Sequence, residues 1–121
     1  MKRSEGLAKL LKVSQNSVYR WSRGETPSAK NGDKINLLLK YLKGISAGYT
    51  PNTRNSPKKI REKLGLTLMD IAQFLEITPA TLLRWESGSV PTLRRSVFHS
   101  KLTEYIQFIK EIIKYSSHHN K

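Results

Sequence analysis

The sequence predicts an all-α protein made of two tandem copies of one small helical unit, followed by a long C-terminal helix. Three observations lead there. The first is an internal repeat: the 21 residues 7–27 recur without a gap, 64 positions later, as 71–91. Ala8, Leu11, Arg20, Trp21, Gly24 and Pro27 return as Ala72, Leu75, Arg84, Trp85, Gly88 and Pro91. Leu7/Ile71, Leu10/Phe74, Val13/Ile77, Ser14/Thr78, Ser17/Thr81 and Val18/Leu82 keep their character, and the register continues to Leu38/Leu102, Tyr41/Tyr105 and Leu42/Ile106. The second observation is apolar spacing of helical period. The third is punctuation: a hydroxyl residue precedes, and a glycine follows, the second apolar run of each copy. A repeat this long makes a pair of small domains and not a solenoid.

In the first copy a helix is predicted over about Glu5–Leu11, with a turn at Lys12–Val13. Ser14 is the N-cap of a second helix that runs to about Ser22, and Gly24 stops it. Residues 44–56, "GISAGYTPNTRNS", have the Gly, Pro, Ser, Thr and Asn content of a linker. Fully extended they span about 40 Å, comparable with one turn of B-DNA at roughly 34–36 Å. The second copy opens with a helix over about Pro57–Lys63. Asp70 then lies in the first turn of a helix carrying Ile71, Ala72, Phe74 and Leu75, where its charge suits the dipole. After a break at Glu76–Ile77, Thr78 caps a helix carrying Thr81, Leu82 and Trp85, which Gly88 ends. Ala8 and Ala72 fit where two short helices cross closely, since a larger group would wedge them apart. The last helix is predicted from about Thr92 or Arg94 to Tyr115, with an apolar stripe of Leu102, Tyr105, Ile106, Ile109, Ile112 and Ile113.

The predicted organisation is a first unit at 1–43, a linker at 44–56, and a second unit with the C-terminal helix at 57–121. Shifting Pro57–Lys63 back by 64 positions lands before Met1, so the first unit reads as lacking its first helix. A unit of that size is near the lower limit for an independent core. The C-terminal stripe either covers the gap or caps the second unit's own core, and the sequence leaves both open.

Net charge is +13, divided as +7 over residues 1–43 and +6 over 44–121, so it is not a basic tail. A compact chain this basic attracts a polyanion. Cysteine is absent, which excludes a disulfide framework, a zinc-finger ligand set and thiol redox chemistry. No apolar run approaches a membrane span, and "MKRSEGLAKLLKV" lacks the apolar core of a signal peptide. The reading is a soluble, cytoplasmic protein, nucleoid-associated when bound to DNA. His99, His118 and His119 offer no third ligand at helical spacing, so no metal is expected. No cofactor loop, nucleophile–base pair or spaced carboxylate pair is present, so neither a cofactor nor an enzyme is expected.

Two short helices joined by a tight turn form a helix-turn-helix. The segments "LAKLLKVSQNSVYRWSRG" and "DIAQFLEITPATLLRWESG" resemble the Cro/phage-repressor-like (XRE) helix-turn-helix family. The shared pattern is an alanine-bearing helix 2, a Val/Ile-Ser/Thr turn and an Arg-Trp-x-x-Gly helix 3. "SPKKIREKLGLTLMDIAQFL" adds helix 1 and the Leu-Thr entry into helix 2, so the likeness in the second copy covers roughly Ser56 to Phe108. The sequence departs from the family at the turn. A glycine is common where Lys12 and Glu76 stand, which predicts a left-handed or an adjusted conformation there at modest cost.

The resemblance implies sequence-specific binding of double-stranded DNA, with recognition helices in the major groove, and transcription regulation by occupancy of an operator. Base reading is implied at Gln15, Asn16 and Arg20, and a phosphate contact at Ser14. The amides of Gln15 and Asn16 suit adenine, and the guanidinium fork of Arg20 suits guanine. Tyr19 and Arg23 also lie on the outward face of that helix, while Val18 and Trp21 face inward. The second copy offers Thr78, Pro79, Ala80 and Arg84 at the matching positions. Pro79 and Ala80 cannot hydrogen-bond a base through their side chains, and Ala80 can only touch a thymine methyl. Thr92, Arg94 and Arg95 fall where the family's next loop meets the phosphate backbone, with Lys30 and Asn31 as counterparts; Lys58 and Lys59 open helix 1. Against these stand ordinary structural roles. Arg20 and Arg84 are as readily paired with a local acid or laid over the adjacent tryptophan, and both tryptophans are read as core. An alternative function is an antitoxin-like or other protein-interaction module, motivated by the weak base-reading set of the second copy. A homodimer and an unidentified protein partner are left open.

Overall fold

The protein is represented by a computed structural model that describes residues 3–47, 56–88 and 100–119, with side chains given for most of them. Among the described residues there are seven helices: α1 (Arg3–Leu11), α2 (Gln15–Ser22), α3 (Ala29–Ala47), α4 (Pro57–Lys63), α5 (Leu68–Leu75), α6 (Pro79–Glu86) and α7 (Ser100–His119). The all-α expectation holds.

The two helix pairs α1–α2 and α5–α6 close by the same local bonds. Lys12 and Glu76, the residues after α1 and α5, are left-handed at φ 59° and 57°. Each lets the next amide bond back into the helix: Val13 N–H donates to the Ala8 carbonyl at 3.0 Å, and Ile77 N–H to the Ala72 carbonyl at 2.9 Å. The cost of a left-handed non-glycine is offset by orphan carbonyls being satisfied and by Val13 and Ile77 packing on the core. Ser14 and Thr78 then cap α2 and α6, each side-chain oxygen accepting from the amide three residues on, at 3.1 and 3.2 Å. Gly24 and Gly88 follow α2 and α6 at φ 108° and 99°, a conformation that a Cβ would strain. α5 carries a full capping box, Thr67 and Asp70 exchanging side-chain bonds with each other's amides at 3.1 and 2.9 Å.

The longer helices bury one stripe each. Ile35, Leu38, Tyr41, Leu42 and Ile45 of α3 are buried, as are Leu102, Tyr105, Ile109 and Ile112 of α7. These stripes join Leu7, Val18, Trp21, Ile60, Ile71, Leu82 and Trp85 in one continuous core. Both tryptophans are therefore core groups.

The order of packing differs from the order of the chain. α1 packs on α2 and on α5, and α5 on α6. α3 lies against α4, α6 and α7, and α7 lies against α2 and α3. α3 thus reaches the second helix of the later pair, and α7 the second helix of the earlier one. The stripe of α7 reaches residues from both parts of the chain. Tyr105 meets Phe74 of α5 with ring centroids 4.1 Å apart, and Ile112 and Ile113 line one cavity with Pro27 and Ile35.

Three boundaries move. α1 begins at Arg3, two residues before its expected start. The expected linker loses its first residues to α3, because Gly44 and Ile45 are buried and the helix continues through them to Ala47. α7 runs past Tyr115 to His119, and its described part starts at Ser100. The expected start at Thr92 or Arg94 lies outside the described residues.

Candidate nucleic-acid interface

The candidate site is the outward face of α2 and α6. Each is a short helix whose inward residues, Val18 and Trp21 or Leu82 and Trp85, are fixed in the core. The residues between them must then face out. In α2 these are Gln15, Asn16, Tyr19 and Arg20, with Arg23 just beyond, and all five are exposed. Arg23 Nη1 donates to the Tyr19 hydroxyl at 2.9 Å, and its guanidinium lies 5.4 Å from the centroid of that ring. Arg20 Nε pairs with Glu25 at 3.0 Å, with both side chains more than half exposed. A pair this open in water is worth little, so Arg20 can exchange Glu25 for another acceptor at small cost.

In α6 the outward residues are Ala80, Leu83 and Arg84, and all are exposed; Pro79 is half-buried. Ser14 and Thr78 are exposed at the helix starts, each also within 2.8 and 2.9 Å of a second hydroxyl, Ser17 and Thr81. Lys58 and Lys59 are exposed on α4 and Lys30 on α3. Thr92, Arg94 and Arg95 lie outside the described residues. Among the described residues no three His, Cys, Asp or Glu side chains group as a metal site would require.

Two features escape the sequence reading. One is Leu83, 52% exposed on α6. It is the counterpart of Tyr19 under the 64-residue shift, and that alignment could have singled it out.

The other is a buried polar cluster behind α6. Glu86, the last residue of that helix, is only 4% exposed. Its carboxylate accepts from Arg61 Nε at 2.7 Å, from Arg61 Nη2 at 3.2 Å and from the Tyr41 hydroxyl at 2.7 Å. Arg61 Nη1 also donates to the Leu66 carbonyl at 3.1 Å. Bidentate geometry and a third donor satisfy a charge that would be costly to bury alone. Burial first, and then the Glu86 charge, push the Tyr41 phenol far above its ordinary value, while the bond to Glu86 holds Arg61 firmly protonated. The cluster fastens α6 to α4 and α3 at the end opposite its capped N-terminus. Glu86 falls four residues after buried Leu82, an inward position where a carboxylate already signals a hidden partner.

A family model for helix-turn-helix proteins matches residues 58–97, which take in α5, α6 and all of α4 but its first residue. No curated protein and no solved structure matches the chain. No helix of the described residues is long and apolar enough to cross a membrane.

Proposed function

We propose that the chain is a transcriptional regulator that binds double-stranded DNA sequence-specifically, placing α2 and α6 in the major groove. The observation that carries this reading is the helix-turn-helix match at 58–97 together with an outward, N-capped second helix on a chain of net charge +13. In this reading the chain holds two units of the Cro/phage-repressor-like type. Among the described residues the first has no counterpart of α4, and α7 packs on α2. The contact α2–α7 is the counterpart of α6–α3, and α1–α5 and α3–α7 are their own counterparts. Apart from α3–α4, which has no counterpart, a contact set that maps onto itself under exchange is that of a two-fold, isologous pair. Residues 48–55 then connect two halves already held together by their core.

Gln15, Asn16, Tyr19 and Arg20 read bases through α2, and Ala80 and Arg84 through α6. Ser14, Thr78, Arg23, Lys30, Lys58, Lys59, Thr92, Arg94 and Arg95 meet phosphates. Arg23 reaches a phosphate from its place over Tyr19. A second reading, a protein-interaction module, is favoured by the apolar row of α6. Selection of the intact chain against a random-sequence duplex pool separates the two. Enrichment of a consensus supports the regulator; capture of a co-purifying protein with no consensus supports the module.

A further inference from the structure

Among the described residues three large hydrophobic side chains are exposed: Tyr19 at 51%, Met69 at 52% and Leu83 at 52%. Tyr19 and Leu83 occupy the same position of the 64-residue repeat, on the outward face of α2 and α6. Neither is needed for the core, which Val18, Trp21, Leu82 and Trp85 fill from the other side of the same helices.

Their surroundings differ. On α2 the apolar group is set among hydrogen-bonding neighbours, Asn16 one turn earlier and Arg23 one turn later, and its hydroxyl is tied to Arg23. On α6 the residue one turn earlier is Ala80, and both it and Leu83 are exposed. At spacing i, i+3 they share a face, and neither side chain has a polar atom. Arg84, the next residue, is also exposed, on a chain of net charge +13. An apolar pair beside a cation fits a polyanion that carries apolar groups at a fixed depth. The major groove supplies these only as the 5-methyl of thymine.

We infer that α6 reads its half of the operator through thymine methyl groups, with Ala80 and Leu83 as the specificity-determining pair and Arg84 as the adjacent polar contact. This rests on the DNA-binding reading above. The operator then has two unlike halves: one facing α2, specified by hydrogen-bonding patterns, and one facing α6, specified by where thymines stand. A site of that kind tolerates loss of hydrogen-bonding groups in the second half better than loss of a methyl.

The test uses the intact chain and its selected consensus duplex. Each thymine is replaced in turn by deoxyuridine, which removes the 5-methyl and leaves all hydrogen-bonding groups in place. Affinity should fall roughly three- to fourfold for each methyl contacted in the α6 half, the effect of burying one carbon of that size. Leu83→Ala should bind the thymine duplex more weakly and lose most of the difference between the thymine and deoxyuridine forms. Because Leu83 is half exposed, that variant is expected to melt at the wild-type temperature. Asn16→Ala serves as a control and should leave the methyl dependence of the α6 half unchanged. Equal binding of thymine and deoxyuridine duplexes in a specific complex overturns the inference and leaves the DNA-binding reading standing. So does Leu83→Ala with unchanged DNA affinity, the result expected if this face docks a protein. Failure to select any consensus overturns both.

Discussion

The α1–α2 and α5–α6 pairs are built alike and supported differently. Their turns, caps and stops coincide: Lys12 with Glu76, Ser14 with Thr78, Gly24 with Gly88. Their supports do not. α6 is backed by α4, its near neighbour in the chain, through the Arg61–Glu86 pair, with Tyr41 joining from α3. α2 is backed by α7, from the far end of the chain, whose buried residues are Leu102, Tyr105, Ile109 and Ile112. The position equivalent to Glu86 is Ser22, whose hydroxyl donates to the Tyr19 carbonyl of its own helix at 2.6 Å. Local geometry follows from short-range sequence and repeats with it. Support is long-range, so two helix pairs with the same turn need not be stabilised by the same kind of interaction.

The comparison can be broken most severely at Glu86. Glu86→Ala leaves the Arg61 guanidinium buried without its carboxylate and should cost about 3–5 kcal/mol in denaturant unfolding. Ser22→Ala at the equivalent place should stay within about 0.5 kcal/mol. Similar losses at both sites would show that the cluster is not what distinguishes the pairs. Next in size is Ile112→Ala, which should cost about 2–5 kcal/mol through the cavity it leaves. Amide hydrogen exchange should then rise around Leu10 and Val18 before it rises around Phe74 and Leu82. Unchanged protection of α1–α2 would remove α7 as its support.

Tyr41→Phe keeps the ring and deletes one hydrogen bond to a charged group, for about 1.5–3 kcal/mol. It should also change the alkaline response. The folded phenol holds its proton well above the ordinary 10.0. Its contribution is therefore complete below that pH and is lost as the pH rises and the unfolded chain's tyrosine ionises. Wild type should lose stability above about pH 10 more steeply than the phenylalanine variant. Equal slopes would mean that Tyr41 is not the group responsible.

On the DNA side, Gln15→Ala or Asn16→Ala should cost about 1–3 kcal/mol at the selected site and leave nonspecific binding nearly intact. An unchanged consensus would remove α2 as a specificity reader. The smallest expected effect tests the likeness itself. Lys12→Gly and Glu76→Gly should each stabilise by up to about 1 kcal/mol, by similar amounts, because both relieve a left-handed side chain.

What was legible in the sequence was what short-range physics decides. The start and end of α4, the break at Glu76 and the caps at Ser14 and Thr78 fall where hydroxyls, proline and glycine put them. The left-handed conformation of Lys12 and Glu76 is one of the two that the sequence leaves open at the turn, and the bond from the next amide decides it. The Tyr41–Glu86–Arg61 cluster was not read, because its members stand 45 and 25 positions apart and a charged residue reads first as solvated surface. Leu83 is hidden in the sequence for a related reason: hydrogen-bonding capacity marks a base-reading residue, and an apolar contact has none. The order of packing around α3 and α7 was also beyond reach, since one apolar stripe fits several partners equally well.

The interleaving of α3 and α7 has a consequence for how the protein is made. As the ribosome delivers the chain, the stripe of α3 emerges before α4, α6 and α7, the helices it packs against. At synthesis rates of about 5–20 residues per second, the stretch from Ala47 to His119 takes roughly 4–15 s. α4 is the first of these helices to arrive, the Glu86 carboxylate that Tyr41 meets comes with α6, and α7 comes after both. α7, the latest of these partners to emerge, completes the cover of the α3 stripe.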